Sequence, residues 1–301
     1  MRPPARAILA LDYPTDRIDL KLLIVLPPGL PRTKPRALNS GLARARGAYG
    51  VVYDAEDRPD PRQLRDAVAA FARGPSSHAC VQAPRVGAPE GGGWLSAQWA
   101  LEYAIQFGRI LPAHARLGLP IALGGTRNHF NRARLIDAGR WDAWNVTEDA
   151  DLGLRLARRG ARVAMIAPPT LEAPPEQMGV WLAQRSRWLK GFLQTWLVLM
   201  RTPTASIREM GLAGFVSMQS TLGAAILSLG QLGTGVMVVS YLAGVAAGVA
   251  APGHWGERPL IVALTAPLHW PLQSVTMARA LYGLCHAPPF WTKTPLDIPS
   301  P

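Results

Sequence analysis

Glu148, Asp149 and Asp151 place three acids within four residues of an otherwise basic 301-residue chain. Because like charges so close together repel, we expect at least one of these carboxylates to have a raised pKa or to face a cation. A carboxylate in that setting is suited to act as a general base. The same segment is also typical of a helix N-terminus, with Thr147 or Asp149 as the N-cap of a helix over 152–157.

A second acidic segment follows a predicted strand. Tyr49–Tyr53 is expected to be a buried strand, and it runs directly into Asp54, Glu56 and Asp57. Acids at the carboxyl end of a buried strand lie where open α/β sheets bind ligands. Their oxygens suit a hard divalent cation that bridges to phosphates. A polar turn before a helix over 61–71 is the alternative for this segment.

A third polar set lies on a predicted helix over Glu176–Met200. Tryptophan and leucine side chains recur on one side of this helix, and Gln184, Arg187 and other polar residues lie on its other side. This pattern is typical of a helix at a membrane interface. A core helix of a soluble domain is the alternative.

Charge is unevenly distributed along the chain. The formal net charge is +12, yet within residues 210–291 the charged side chains are Glu257, Arg258 and Arg279. This indicates a basic part suited to anionic headgroups and substrates, joined to a membrane part. The basic residues are interleaved with acids and no nucleic-acid motif occurs, so we expect no nucleic-acid partner. Cys80 and Cys285 lack metal-ligand spacing and are expected to be free thiols.

The elements that carry these segments favour an α/β sheet, because predicted strands alternate with predicted helices. The glycines of Gly124–Phe130 allow the backbone to approach a ligand closely. Within this segment, His129 is either a structural hydrogen-bonding group or a catalyst. Strands are predicted at Ile18–Leu26, Tyr49–Tyr53, Ala79–Ala83 and Arg162–Ala167, and further helices at Thr33–Arg46 and Trp94–Leu117.

The expected division is a catalytic domain over residues 1–175, an amphipathic interfacial helix over 176–209, and a membrane region with a short tail over 210–301. Leu212–Ala251 contains no Asp, Glu, Lys or Arg. It is long enough for two tight crossings, or for one crossing after a re-entrant segment. Pro259–Leu284 is the last expected span. Basic residues on both flanks favour cytoplasmic ends.

The order of these motifs resembles the membrane-bound family 2 glycosyltransferases, which include cellulose-synthase-like enzymes and related bacterial inner-membrane enzymes that build extracellular polysaccharide. The motifs are Asp54–Asp57, then Thr147–Asp149, then Gln184-x-x-Arg187-Trp188, followed by apolar segments. Further matches extend the resemblance over nearly the whole chain, at Thr33–Asn39, Gly124–Asn128 and Pro289–Thr294.

The resemblance implies a GT-A-like fold, here an incomplete mixed sheet flanked by helices, and inverting transfer of a sugar from a nucleotide diphosphate donor, with a UDP-sugar expected. It implies that Asp54 and Glu56 hold Mg²⁺ or Mn²⁺, which neutralises the leaving diphosphate. Glu56 stands where many relatives have a second aspartate, so its reach differs. Asp149 would be the general base that deprotonates the acceptor hydroxyl.

The resemblance also implies a binding surface and a location. Arg187 would pair with phosphate and Trp188 would stack on a sugar, beside Gln184. The expected partners are a glycan or lipid-linked acceptor and membrane lipid. The expected location is the bacterial inner membrane, with the catalytic domain on the cytoplasmic side. Donor or acceptor contacts are further expected at Lys34, Asn39 and Glu148.

One departure from the family pattern concerns the N-terminus. Family members begin with a strand and a nucleotide-contacting turn, and a further acidic turn follows their second strand. This chain begins near the helix between those strands, and Leu22–Leu26 runs into Pro27-Pro28-Gly29 without an acid. We therefore expect an N-terminally truncated fold without the usual first strand. The alternatives to an active transferase are a non-catalytic, membrane-associated scaffold and a basic protein that binds anionic lipid or nucleic acid without chemistry.

Overall fold

The computed structural model describes residues 3–21, 29, 31–88, 92–223, 246 and 259–287. Strands and helices alternate up to Glu172, and the described chain then continues as helices. In chain order the elements are α1 Pro3–Leu9, α2 Lys34–Leu42, β1 Tyr49–Val52, β2 Arg58–Pro59, α3 Gln63–Arg73, β3 His78–Gln82, β4 Arg85–Gly87, α4 Gly93–Ile105, α5 Leu111–Leu117, β5 Asn128–Asn131, α6 Arg132–Asp137, α7 Glu148–Arg158, β6 Arg162–Met165, β7 Thr170–Glu172, α8 Met178–Leu199, α9 Pro203–Met218, α10 Pro259–Leu264 and α11 Ala266–His286.

The strands form two mixed sheets. The larger sheet has the order β1-β5-β3-β6, in which β5 is antiparallel to both of its neighbours and β3 is parallel to β6. The smaller sheet has the order β2-β7-β4, in which β7 is antiparallel to β2 and parallel to β4. The acidic segment 54–57 connects β1 of the larger sheet to β2 of the smaller one, so it lies where the chain passes from one sheet to the other.

Most predicted elements occur within a few residues of their predicted bounds. β1, β3 and β6 confirm three predicted strands, and α2, α3 and α8 confirm predicted helices. A π-helical turn at Gln106–Ile110 separates α4 from α5, which confirms an interrupted helix over this region. The sequence did not indicate β5 because its residues, Asn-His-Phe-Asn, are mostly polar, although three of the four are buried.

The strand predicted at Ile18–Leu26 is wrong in its described part. Ile18–Lys21 has no regular structure, and Ile18 and Leu20 are exposed. Asp19, between them, pairs with Lys21 and Arg46, which keeps this segment at the surface. Residues 22–26 of the predicted strand lie outside the described residues.

The main core lies between the larger sheet and helices α4 and α7. Trp99, Phe130, Leu152 and Leu156 are at most 1% exposed and belong to one cluster of buried apolar side chains. Burial of apolar surface at roughly 25 cal/mol per Å² is the dominant stabilising contribution in such a core. Because α7 contributes two of these side chains, the core also fixes the helix that begins with the acids Glu148 and Asp149.

The helices after β7 pack on one another. α11 lies along α8, where Met277 and Ala280 form a small apolar cluster with Leu189. In the described parts of the chain, each helix is too short or too polar to cross a bilayer. The predicted span over Pro259–Leu284 is thus not supported: the segment divides into α10 and α11, and α11 buries the polar residues His269 and Thr276 against the protein.

The other expected membrane segment, Leu212–Ala251, is described only as far as Gly223 and at residue 246. Its described part forms the second half of α9 and a π-helical turn at Gln219–Gly223. The remainder of this predicted segment, and the motif at Pro289–Thr294, lie outside the described residues.

Candidate active site

Asp57 stabilises the acidic turn, which is formed by residues 54–57, from its buried side. Its carboxylate is buried, its Oδ2 atom accepts a hydrogen bond of 2.7 Å from the backbone N–H of Asp54, and it also accepts one from the Thr126 hydroxyl. Thr126 Oγ1 lies 3.2 Å from the Asp54 nitrogen as well. The polar-turn interpretation applies to this segment because Asp57 shapes the turn, and the ligand-binding role of Asp54 and Glu56 stays a prediction.

Lys34, at the first position of α2, reaches into the turn. Its Nζ atom lies 2.5 Å from Asp54 Oδ1 and donates a 2.8 Å hydrogen bond to the Gly125 carbonyl. Burial lowers the pKa of Lys34, but Asp54 and the two acids at the start of α7 raise it by more, so the pKa is higher than in water. The Lys34 ammonium group is therefore a fixed positive charge that faces both acidic segments.

Asn39 of the same helix and Thr33, its N-cap residue, fix the position of α2. Asn39 Nδ2 donates to the Trp141 carbonyl at 2.7 Å, and Asn39 Oδ1 accepts from the Trp141 N–H at 3.2 Å. Thr33 donates to the Ala143 carbonyl at 2.8 Å. The structure thus places Asn39 in the framework that joins α2 to the loop before Thr147, and its predicted contact with a donor stays a prediction.

The Thr147–Asp149 segment is docked on α8. The Thr147 N–H donates to Asn145 Oδ1 at 2.9 Å, and the Asn145 amide donates to Thr195 of α8 at 3.0 Å. Thr147 is the N-cap residue of α7, as one interpretation of the sequence held, although its side chain makes no capping hydrogen bond. At Gly191 an added Cβ would lie 2.4 Å from Thr147 Oγ1, so only glycine allows this close approach.

The start of α7 concentrates negative charge in a buried place. Burial, and then the neighbouring Asp149, raise the pKa of Glu148 to about 8, and the Lys34 charge opposes this rise. Burial also raises the pKa of Asp149, against the effects of Lys34 and of backbone N–H groups at the helix N-terminus. The expectation of a raised carboxyl pKa facing a cation is met at this segment.

Glu56 has a similar environment on the other acidic segment. Burial raises its pKa to about 7, and the charges of Asp54 and Glu172 add to the rise. Two repelling carboxylates, Asp54 and Glu56, form a donor set of hard oxygens that fits a divalent cation. In the described part of the chain, no group of three His, Cys, Asp or Glu residues is arranged to hold a metal by itself.

Three residues of α8 were predicted to line the site. Burial lowers the pKa of Arg187, while the negative charges of Glu148 and Asp149 oppose that change. Gln184 Oε1 is buried and has no hydrogen-bond partner among the described residues. Trp188 packs at the edge of the main core.

The structure therefore brings together most of the residues that the sequence singled out. Asp54, Lys34 and Arg187 meet the acids of α7 in one electrostatic environment. Of the two interpretations of His129, the structure favours a structural hydrogen-bonding group. Its Nδ1 atom lies 3.1 Å from the Val81 carbonyl oxygen, and burial lowers its pKa to about 4.

A buried ion pair behind the acidic turn could not be recognised in the sequence. Arg85 Nε lies 2.6 Å from Glu172 Oε2, and Arg85 also donates to the Tyr103 hydroxyl at 3.1 Å. Arg127, with a φ of 55°, is fully buried beside this pair. These charges lie on β4, on β7 and directly before β5, none of which was predicted, so only the folded chain brings them together.

The family model for glycosyl transferase family group 2 matches residues 51–277, which is more than half of the chain. The matched range begins in β1 and includes the acidic turn, the start of α7 and the polar residues of α8. The family-level resemblance drawn from the motifs is thereby confirmed.

Two curated relatives are similar to part of the chain. The probable glycosyltransferase YdaM of Bacillus subtilis is 26% identical over 218 residues, which cover 64% of this chain and 51% of YdaM. Poly-beta-1,6-N-acetyl-D-glucosamine synthase of Staphylococcus aureus is 28% identical over 168 residues, which cover 53% of this chain and 39% of that synthase. The chain thus spans about half the length of these relatives or less.

A solved structure shares the fold. The mannosyltransferase PcManGT from Pyrobaculum calidifontis, in complex with GDP-Man and Mn²⁺, has a TM-score of 0.56 and 18% identity to this chain, and the similarity covers 94% of this chain and 82% of that one. The mixed α/β, GT-A-like fold expected from the sequence is confirmed.

Proposed function

The chain belongs to glycosyl transferase family group 2, and from this we propose that it transfers a sugar, with inversion at the anomeric carbon, from a nucleotide diphosphate donor to an acceptor hydroxyl. One observation carries the proposal. The Lys34 ammonium group pairs with Asp54 and is stabilised by the charge of Asp149, so the acid proposed to serve the donor and the acid proposed as base face one site.

Asp149 is the general base in this proposal. Its carboxylate takes the proton of the acceptor hydroxyl as that oxygen attacks the anomeric carbon, and the bond from this carbon to the diphosphate breaks. Burial raises the pKa of Asp149, which makes its ionised form a stronger base than a solvent-exposed aspartate. Lys34 and Arg187 provide positive charge where the leaving group gains negative charge.

Asp54 and Glu56 are proposed to hold Mg²⁺ or Mn²⁺. Burial and then the charge of Asp54 raise the pKa of Glu56, which supports a cation at this place. When bound, the ion would neutralise the negative charge of the departing diphosphate. No group of three His, Cys, Asp or Glu residues in the described part of the chain could hold the ion alone, so Asp54 and Glu56 would hold it together with ligands from outside these side chains. The solved mannosyltransferase of similar fold is a complex with Mn²⁺, which supports the metal but leaves its identity open here.

The donor proposed is a UDP-sugar and the acceptor a glycan or a lipid-linked glycan. The curated synthase among the relatives is named for an N-acetylglucosamine polymer, which supports UDP-N-acetylglucosamine as the first donor to test. Trp188 is proposed to stack on an acceptor sugar, and Gln184, whose buried oxygen lacks a partner among the described residues, to bind a hydroxyl. Asn39 contributes indirectly, by holding α2 and thereby Lys34.

Action at the bacterial inner membrane, with the catalytic part on the cytoplasmic side, belongs to the same proposal. Exposed apolar side chains support a lipid-facing surface near the C-terminal end of α8 and on α9. They are Leu197, Val198, Leu212 and Val216. Arg201 and Arg208 lie in the same region and suit anionic headgroups.

The test is a donor screen on the purified chain. UDP-N-acetylglucosamine, UDP-glucose and GDP-mannose are incubated with Mg²⁺ or Mn²⁺ and acceptor oligosaccharides, and released nucleotide and extended product are measured. The proposal predicts metal-dependent product with one donor class. A folded chain that neither binds nor consumes any donor would instead support the non-catalytic scaffold.

A further inference from the structure

Helices α4, α8 and α11 meet at one carboxylate outside the site described above. Glu102 of α4 forms a salt bridge with Arg185 of α8. Its other oxygen accepts a 3.0 Å hydrogen bond from the Gln273 amide of α11 and lies 3.5 Å from His269 Nδ1 of the same helix. One side chain therefore joins three helices that are far apart in the sequence.

Arg185 connects this three-helix junction at Glu102 to the other polar residues of α8. It is the residue directly after Gln184 and lies three before Trp188. Its guanidinium carbon lies 5.2 Å from the centre of the Trp188 ring and 5.6 Å from that of Trp181. Such cation–π contacts are worth about 0.5–2 kcal/mol and depend on where the cation is held. The carboxylate of Glu102 determines that position.

The α11 side of the junction is buried and aromatic. His269 is 2% exposed, and its ring centre lies 4.8 Å from that of Trp181 and 6.0 Å from that of Trp94. α11 thus contacts the same tryptophan that faces Arg185. A displacement of α11 changes the environment of Trp181 and, through Glu102, the position of Arg185.

We infer that Glu102 is a positioning residue that couples the docking of α11 to the acceptor-binding end of the site, by holding Arg185 against Trp188. This inference rests on the proposed function, because it takes Trp188 as a contact for the acceptor sugar. An amide at position 102 removes the charge opposite Arg185, so its guanidinium group leaves the aromatic rings and Trp188 loses its fixed orientation. The donor end, at Asp54 and Lys34, makes no contact with Glu102 among the described interactions and keeps its geometry.

The test compares Glu102→Gln with Glu209→Gln. Glu209 also forms a salt bridge between helices, with Arg158 Nε at 2.5 Å, but this pair is more exposed and joins α7 to α9. UDP-N-acetylglucosamine is the donor, and a β-1,6-linked N-acetylglucosamine pentasaccharide is the acceptor probe. Glu102→Asp, which keeps the charge, is the second variant if Glu102→Gln does not fold.

For Glu102→Gln we expect the acceptor KM to rise about tenfold, as expected for loss of a charged hydrogen-bond partner, while the donor KM and donor hydrolysis by water stay within twofold of wild type. Glu102→Asp should give a smaller rise, and Glu209→Gln none. An unchanged acceptor KM in Glu102→Gln, or an equal rise in Glu209→Gln, would overturn the inference.

Backbone hydrogen–deuterium exchange gives a readout that needs no substrate. Glu102→Gln should increase exchange both at residues 184–188 and across α11, and Glu209→Gln at neither. If the wild-type chain transfers no sugar with any donor, the proposed function fails and exchange alone decides the coupling. If the wild-type chain is active but exchange in α11 is unchanged in Glu102→Gln, only the coupling fails.

Discussion

Gly191 of α8 and Thr147 of the loop before α7 are in such close contact that a Cβ atom at position 191 would lie 2.4 Å from Thr147 Oγ1 and 2.5 Å from Thr147 Cγ2. A Cβ atom is essentially never found that close to a non-bonded heavy atom, so a larger residue at 191 must displace the loop or the helix. Because Glu148 and Asp149 follow Thr147 directly, this contact determines how far the proposed base lies from the polar residues of α8.

Gly191→Ala is therefore expected to lower the free energy of unfolding by about 1–3 kcal/mol and to reduce sugar transfer more than donor binding. Gly179 of the same helix is the matched control, because a Cβ atom there would have no neighbour within 4 Å. Urea unfolding and initial transfer rates on both variants check this. Equal effects at the two glycines would contradict the docking of the loop on α8.

Asp149→Asn is expected to reduce transfer by about 10²–10⁴-fold without unfolding the protein, because an amide cannot accept the acceptor's proton. Asp151→Asn is the matched control. Asp151 belongs to the same acidic segment, but it pairs with Arg155 one turn further along α7 at 2.7 Å. Circular dichroism verifies folding, and product formation is measured under saturating donor. Turnover by Asp149→Asn equal to that of Asp151→Asn would rule out Asp149 as the base.

Replacement of Lys34 is expected to shift the pH dependence of transfer. The Lys34 charge lowers the pKa of Asp149, so its removal raises that pKa and moves the acidic limb of the pH–rate profile to higher pH. Lys34→Met should shift the limb by about 1–3 pH units, and Lys34→Arg, which keeps the charge, by much less. Values of kcat/KM determined from pH 5 to pH 9 measure the shift. Superimposable profiles for both variants would contradict the electrostatic role of Lys34.

Glu148 is expected to make the protein less stable as the pH rises. The pKa of Glu148 is about 8 in the folded chain and about 4.3 in an exposed glutamate. Between these pH values the folded state binds more protons than the unfolded state, so the free energy of unfolding falls as the pH increases. Glutamine at position 148 does not titrate, so the Glu148→Gln variant should lack this contribution to the pH dependence. Urea unfolding at pH 6 and pH 9 should show a drop that is about 1–3 kcal/mol larger for wild type than for the variant. Identical drops would contradict the burial of Glu148.

The sequence indicated the elements that local pattern specifies. The acids at the end of β1 and at the start of α7 were recognisable because residue type and neighbouring periodicity lie within a few positions of each other. The amphipathic pattern of α8 likewise predicted a helix within two residues of its observed bounds.

Contacts over long sequence separations could not be predicted in the same way. Asn39 binds the backbone of Trp141, 102 residues away, so an asparagine expected to contact the donor lies in the structural framework. Glu102 forms its bonds 83 and 171 residues further along the chain. The span predicted at Pro259–Leu284 rested on hydropathy, which does not show that the segment divides into two helices or that His269 and Thr276 are buried against the protein.

The most direct test of the proposed donor site is calorimetric titration of the protein with UDP in the presence of Mn²⁺ and again after addition of EDTA. The proposed role of Asp54 predicts binding that requires the metal and is lost in Asp54→Asn. It should persist in Asp60→Asn, since Asp60 lies a few residues away and pairs with Arg62. Binding that is unaffected by EDTA, or equal in the two variants, would contradict a metal-dependent nucleotide site at Asp54.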